Sequence, residues 1–461
     1  MKQYDAIIIG AGQAGVPLAI KLAGQGWETV LVEKRWVGGT CVNDGCTPTK
    51  TLIASGRMAY LAHRSADYGI RIPEYSVDMP AVKKRKDDLV LASRHKNEEA
   101  LEETEHLTLL FGEASFSGPK TMTVRLRDGG QEEISAGKIF LDTGSEPLIP
   151  DIPGLAEVPY LTSTTILDLE TVPEHLLVVG ASYIALEYGQ LYRRLGSQVT
   201  LLEHGEHFLP REDKDVAAAL QQILEEDGLQ ILRQASPQKF EITPEGKIKS
   251  WVKKSGTNQE LTCSHLLIAT GRPPQTKALQ LEKAGITTDD NGHIQVNEFL
   301  ETNVAGIYAL GDVKGGPEFT HIAYNDFVIV SQNLLEGKQL STQHQMKPYV
   351  MFTDPELGRI GLSEKQAREK GLHIKVATLP MKQVARANET SESRGLIKAV
   401  VDANTHQILG AAVLGVNGGE LMTVLQIAMM GQLPYEQLRD AVFAHPTFSE
   451  AFNNLFSSLQ E

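Results

Sequence analysis

One pattern constrains this chain more than any other, and it occurs twice. Near the N-terminus the apolar run Ala6-Ile-Ile-Ile9 leads into Gly10-Ala-Gly-Gln-Ala-Gly15. A helical stretch from about residue 14 to 25 follows, and then Thr29-Val-Leu-Val-Glu33. About 170 residues later, Leu176-Leu-Val-Val179 leads into Gly180-Ala-Ser-Tyr-Ile-Ala185 and returns through Val199-Thr-Leu-Leu-Glu203. Each copy is a strand, a tight turn, a helix, a strand and a terminal glutamate. A unit of this kind binds a dinucleotide: N–H groups at the helix start meet the pyrophosphate, and the acid accepts ribose hydroxyls. Gly10 and Gly12 permit the close backbone approach, Gly15 permits helix packing, and Glu33 stands at the expected distance. The second turn is weaker, because Ser182 and Ala185 stand where the motif has glycines, and an ordinary strand-to-helix turn can read the same way. Glu203 points to a free ribose 2′-hydroxyl and so favours NADH, while Ala185 and Arg211 leave NADPH open. Two such units imply two dinucleotides, and FAD with NAD(P)H is the natural pair for hydride transfer.

The cysteines supply the second signal. There are three, and two of them lie five positions apart in Gly38-Gly-Thr-Cys41-Val-Asn-Asp-Gly-Cys46-Thr-Pro-Thr-Lys50. No run of 18 apolar residues is present and the N-terminal run is too short for a secretion signal, so the expected location is the cytoplasm. There a close cysteine pair is more often catalytic or metal-binding than structural. Thr47 can cap a helix and Pro48 can open it, which puts Cys46 at the positive end of that helix, where a thiolate is stabilised. Gly45 loosens the backbone enough for the two sulfurs to meet. Two inert thiols remain the plain alternative. A structural zinc needs four ligands, and no second pair accompanies this one, so no metal site is expected. His204 and His207 read as exposed loop histidines beside Glu203, and Cys263 as a small core residue.

The remaining sequence sets boundaries. Hydrophobic residues make up 41% and charged residues 22%, which places the chain among folded soluble proteins. Its net charge of −14 argues against nucleic acid and against an anionic membrane surface. Residues 80 to 106 read as a charged, solvated helix, and residues 107 to 140 as strands with a turn at Gly129-Gly130. A proline- and glycine-rich segment from Leu141 to Gly154 marks a boundary. Ala269-Thr-Gly-Arg-Pro-Pro274 closes the second unit, residues 304 to 313 form a strand ending in Gly-Asp, and the region from about 346 mixes strands with helices.

Several motifs together resemble those of the class I pyridine nucleotide–disulfide oxidoreductases, which include glutathione reductase, dihydrolipoamide dehydrogenase and mercuric reductase. The run GGTCVNDGCTPTK resembles the redox-active disulfide of that family, LDTGSEP and ATGRPP its two crossover turns, YALGDV its flavin-binding aspartate, and HPTFSE its His–Glu pair. The resemblance covers nearly the whole chain. It is strongest to a mercuric-reductase-like branch that includes flavoproteins of reactive-chlorine resistance, through HFLPRED, GDVKGGPEFTHIAYNDF and VARANETSESRGLIKAVVDANT. It implies an α/β fold with two Rossmann-like dinucleotide-binding domains, for FAD and NAD(P), and a C-terminal α+β dimerisation domain. The implied division is 1–150 and 273–345 for FAD, 151–272 for NAD(P) and 346–461 for dimerisation.

The resemblance also implies roles. Cys46 is the flavin-proximal sulfur and Cys41 the interchange thiol. Lys50 and Glu187 form an ion pair near the flavin, and Asp312 holds its ribitol. Gly39, Thr40, Lys50, Ala114, Thr143, Gly144 and Thr320 line FAD, while Gly180, Ser182, Tyr183, Ile184, Glu203 and Gly271 border the NAD(P) site, with Tyr183 as a gate. His445, held by Glu450, takes the Cys41 proton from across a homodimer interface. Two departures stand out. Asp44 lies between the cysteines, where a carboxylate opposes thiolate formation, and Thr47 is more polar than usual. The ending NNLFSSLQE lacks a vicinal Cys-Cys pair and the chain opens directly on the first glycine turn, so dedicated mercury detoxification is not expected. The acceptor is expected to be a small disulfide, an oxidant-derived species or a soft metal ion such as Cu(II) or Hg(II). An NAD(P)H oxidase or diaphorase that bypasses the dithiol is the alternative, and a non-enzymatic thiol sensor a more distant one.

Overall fold

The computed structural model describes residues 1–460, arranged as two compact units. The first contains residues 1–51, 81–148 and 271–345, and the second contains residues 52–80, 149–270 and those from 346 onward.

In the first unit, strand Lys2–Ile9 pairs in parallel with Thr29–Glu33 on one side and with the end of Gln131–Leu141 on the other. Ile307–Ala309 extends this layer beside Ile139–Leu141. The period-2 geometry of a strand splits its apolar residues between two cores. Ile7, Ile9, Val30, Val32, Ile139 and Leu141 face one core, and Ala6, Ile8, Leu31 and Phe140 face the other. The first core lies under an antiparallel ribbon and the second under the helices Gly15–Ala23 and Thr320–Glu336. Two long strands serve both layers. Leu107–Phe111 pairs in parallel with Thr29–Glu33, and the same strand then runs antiparallel to Thr121–Leu126. Gln131–Leu141 makes the matching crossover. Because the layer is parallel, Ile9, Leu141 and Ala309 reach one edge together, and the turns that follow them converge there.

The second unit holds a parallel sheet in the order Tyr160–Leu161, His265–Ile268, His175–Val179, Gln198–Glu203 and Gln230–Arg233, with helix Tyr183–Leu195 against it. A three-stranded antiparallel ribbon spans Ala235–Cys263. A five-stranded antiparallel sheet, bounded by Tyr349–Met351 and Ile374–Pro380, is packed by helix Gly418–Met430. Buried charges tie these parts together. Arg194 pairs with Asp354 and, at 3.2 Å, with Asp227, while Arg57 donates to Asp354 at 2.6 Å and to Glu392 at 3.0 Å. The Gln190 amide exchanges two hydrogen bonds with the Asp354 backbone, at 2.7 and 2.8 Å.

The segment around the cysteines differs from the sequence reading. Residues 39–43 form the short helix Gly39–Asn43 with Cys41 inside it. The next helix, Cys46–His63, begins two residues before Pro48. Thr49 N–H already bonds to the Gly45 carbonyl at 3.0 Å, so Gly45 rather than Thr47 occupies the capping position. Pro48 is tolerated because N–H groups of the first helical turn have no partner inside the helix. The charged segment forms helix Met79–Glu102, with lysine–aspartate pairs four residues apart at 83/87 and 84/88.

Candidate active site

The first glycine turn is built on close approach. Gly10 has φ +103°, and a Cβ there would lie 2.2 Å from the Asp142 carbonyl oxygen. Side chains at Gly12 and Gly15 would meet Asp142 Oδ2 at 2.7 Å and the Gly10 carbonyl oxygen at 2.0 Å. Glu33 accepts from Ala11 N–H at 2.9 Å through Oε2 and from Arg35 N–H at 2.6 Å through Oε1. Each oxygen keeps a second lone pair, so Glu33 can still accept ribose hydroxyls. Gly38 N–H bonds to the Ala11 carbonyl at 2.8 Å, and a Cβ on Gly39 would sit 2.8 Å from Gly12 Cα. The segment leading to Thr40 and Cys41 is thus packed directly on the turn. This cradle, which side chains would fill, fits FAD.

The other flavin-site candidates lie in the same unit. Ala114 is buried in the long crossing strand. Thr143 Oγ1 donates to the Gln275 carbonyl at 2.8 Å, and the Gly144 carbonyl accepts from Gln275 N–H at 2.9 Å. Asp312 accepts from Ser145 Oγ at 2.8 Å, and Arg272 Nε donates to that same hydroxyl at 3.0 Å. Gly271, expected beside the NAD(P) site, also belongs to this first unit.

Three residues here, Asp142, Asp326 and Lys314, have no role assigned from the sequence. Asp142 is buried and accepts from Gly15 N–H at 2.8 Å, at the start of the first helix. Asp326 is fully buried, accepts from Gly311 N–H at 2.9 Å and pairs with Lys314 at 3.2 Å. Burial, followed by the neighbouring Asp312 and Asp326, holds the Asp142 carboxyl well above the usual carboxylate range against the opposing pull of the Gly15 and Ala14 amides. Asp142 lies in LDTGSEP, and Lys314 and Asp326 lie in GDVKGGPEFTHIAYNDF, but neither run identifies which groups meet in space.

Cys41 and Cys46 are both thiols, hydrogen-bonded to one another. Cys46, in the first turn of its helix, places Sγ 3.3 Å from Thr320 Oγ1. Lys50 lies four residues on, along the same helix face. The hydrogen bond to Cys46, then burial, pushes the Cys41 thiol upward, while Thr320 and Lys50 pull it down. Asp44, expected to oppose thiolate formation, pairs with Arg35.

The second unit carries the remaining candidates. Gly180 has φ +111°, and a Cβ there would lie 2.3 Å from the Ala269 carbonyl oxygen. Ser182 precedes helix Tyr183–Leu195, whose first turn contains Tyr183 and Ile184. Glu203 accepts from Gly205 N–H at 2.6 Å and lies 3.1 Å from His204 Nδ1. Glu187 is buried and accepts from Phe352 N–H at 2.9 Å. His445 Nδ1 lies 2.9 Å from both Glu450 carboxylate oxygens, a bond that fixes the ring. Cys263 is a core residue whose thiol burial pushes up to about 12. Among the described residues there is no cluster of ligands able to hold a metal, and no helix long and apolar enough to cross a membrane.

Comparison with known proteins gives a consistent picture. The pyridine nucleotide-disulphide oxidoreductase family model matches residues 4–326, and the dimerisation domain of that family matches residues 347–456. The chain is 37% identical over 461 residues to the probable pyridine nucleotide-disulfide oxidoreductase RclA of Escherichia coli (strain K12), covering 99% of each chain. It is 37% identical over 448 residues to a mercuric reductase of Staphylococcus aureus, covering 97% of this chain and 81% of the other. The solved Cu(II) complex of the HOCl-induced flavoprotein disulfide reductase RclA from Escherichia coli matches with a TM-score of 0.91 and 37% identity over the full length of both chains.

Proposed function

This chain belongs to the pyridine nucleotide-disulphide oxidoreductases and is a flavin-dependent enzyme; from that premise we propose that it carries electrons from NAD(P)H through Cys41 and Cys46 to a soft metal ion or a small disulfide. The observation that carries the proposal is the hydrogen-bonded thiol pair beside Thr320, in the same unit as the Gly10 turn and Glu33. Bound in that cradle, FAD would supply hydride acceptance and two-electron transfer to the disulfide.

The protein groups have distinct tasks. The Gly10–Gly15 turn, Gly39, Thr40, Ala114, Thr143, Gly144 and Asp312 hold FAD. The Gly180 turn, Ser182, Tyr183, Ile184 and Glu203 receive the nicotinamide nucleotide. Glu203 leaves NADH the preferred donor, because a carboxylate accepts a ribose 2′-hydroxyl and repels a 2′-phosphate. Cys46, stabilised by Thr320 and the helix start, takes electrons first, and Cys41 meets the acceptor. Lys50, one helical turn beyond Cys46, lines the flavin. His445 Nε2, from the partner subunit of a homodimer, takes the Cys41 proton, and Glu450 orients it. The four-part division at residues 150, 272 and 345 organises these tasks.

Oxidation of the dithiol releases two electrons and two protons. It converts two Cu(II) to two Cu(I), or one external disulfide to two thiols, and reforms the Cys41–Cys46 bond. The metal reading draws support from two relatives: a mercuric reductase and a flavoprotein solved as a Cu(II) complex. Anaerobic titration with NADH, then NADPH, tests the route. Long-wavelength thiolate–flavin absorbance should appear after the first reducing equivalent, with NADH the tighter donor. In Cys46→Ser that absorbance should vanish and Cu(II) reduction fall at least about a hundredfold, while quinone reduction persists. Undiminished Cu(II) and disulfide reduction by Cys46→Ser would instead identify a diaphorase that bypasses the dithiol.

A further inference from the structure

A cluster beside the cysteines plays no part in the route above. Arg35 and Arg94 both stack on Trp36, each guanidinium carbon 4.3 Å from the ring centroid. Arg35 pairs with the Asp44 carboxylate, and Arg94 Nε donates to Asn43 Oδ1 at 2.8 Å. The Asn43 amide donates in turn to the Val37 and Gly39 carbonyls, each at 2.9 Å. Arg127 holds the backbone next to Trp36 by donating to the Lys34 carbonyl at 3.0 Å and to the Arg35 carbonyl. Asn43 and Asp44 are the two central residues of the four-residue bridge Val42–Gly45 that joins the cysteines. That bridge is therefore gripped by side chains from outside it.

The grip matters because a disulfide within one chain is favoured by the effective concentration of one thiol around the other. A fixed bridge keeps the two sulfurs within bonding reach while the couple opens and closes. A loose bridge dilutes them and makes the disulfide easier to reduce.

We propose that Arg35, Trp36 and Arg94 are positioning residues for the Cys41–Cys46 couple: clamped on Asn43 and Asp44, they hold the sulfurs together and keep the dithiol strongly reducing. The inference rests on the dithiol reading, since the couple must cycle for its poise to matter. It turns Asp44 from a charge that opposes thiolate formation into one end of a fastening.

The test is the midpoint potential of the couple, measured in glutathione and dithiothreitol redox buffers with thiol alkylation and mass detection. This readout involves neither NAD(P)H nor an acceptor. Arg35→Gln and Asp44→Asn should each shift the couple in the same direction, towards easier reduction. The expected size is about tenfold in the equilibrium constant, or about 30 mV for a two-electron couple. The double variant should shift little further, because both changes break one contact. Arg35→Lys should recover part of the shift, and Trp36→Phe should give an intermediate value with the fold preserved. Opposite signs for Arg35→Gln and Asp44→Asn would overturn the clamp and leave only a local charge effect, and unshifted potentials would overturn it as well. Should the wild-type thiols form no disulfide in any buffer, the dithiol reading itself fails, an outcome separate from variants that merely overlay a normal wild-type titration.

Discussion

Replacing Asp142 with asparagine should stabilise this protein by an amount that grows with pH. Asp142 is 8% exposed, is packed against Gly10, Gly12 and Gly15, and accepts the Gly15 N–H at 2.8 Å. Burial, then the nearby Asp312 and Asp326, raises its proton affinity well above the ordinary range. Lys314, which pairs with Asp326, is the cation of this cluster. A carboxyl with a raised folded-state pKa keeps its proton after the unfolded chain has lost its own, so folding takes up a proton. The folded state is then at no disadvantage below the unfolded value of about 4, and loses stability as pH rises from there toward the folded value. The loss is about 1.4 kcal/mol for each pH unit in that interval. Asparagine keeps the shape and the acceptor for Gly15 but has no proton to titrate. The gap between Asp142→Asn and wild type should therefore open near pH 4 and widen at about that rate. Asp142→Ala is the control: it strands the Gly15 amide and should cost about 1–3 kcal/mol with little pH dependence of its own beyond the lost carboxyl. Glu212 and Glu356, also raised by burial, are present in every variant and cancel in the difference. Urea unfolding in half-unit pH steps measures the gap. Parallel wild-type and Asp142→Asn curves from pH 4 to pH 8 would refute the reasoning.

Two further changes probe the second unit. Gly180→Ala places a Cβ 2.3 Å from the Ala269 carbonyl oxygen at a residue with φ +111°. It should weaken NADH binding at least about tenfold through about 1–3 kcal/mol of backbone strain, read by stopped-flow flavin reduction, with FAD content unchanged. Asp354→Ala leaves the buried Arg194 and the neighbouring Arg57 without their shared carboxylate and should cost about 3–5 kcal/mol in urea unfolding. Burial raises the Asp354 carboxyl but the two arginines outweigh it, so its pKa is lowered overall. The stability it contributes is accordingly present above the unfolded pKa and is lost as pH falls through the folded one.

The parts of this molecule that were legible in its sequence are those written over short spans. Ala6–Ile9 ends in a glycine turn, and 18 residues beyond that turn Glu33 ends the next strand; strand alternation and steric need specify the unit within one stretch. The two crossover turns and the cysteine segment are similarly self-contained. The short helix Gly39–Asn43 is not, because five residues are too few for a helical period and two leading glycines resemble a loop. The following helix starts two residues before Pro48, because proline suits the first helical position and also the other positions of the opening turn. Contacts across long sequence distances were silent: Gly15 meets Asp142 over 127 residues, and Arg57 meets Asp354 over 297.

Asp44 illustrates how that silence can mislead. Read along the chain, an aspartate between two redox cysteines is a charge that should suppress thiolate and reset the couple. In space its carboxylate belongs to Arg35, nine residues upstream, and Arg272 and Arg94 act on it as well. A charge that is paired in the fold contributes little field at the sulfurs, whereas the geometry of the pair still acts on the backbone that carries them. The departure from the family pattern and its three arginine neighbours thus have to be weighed as one unit. Changing Asp44 alone tests a different molecule from one in which neither half of the pair was ever present.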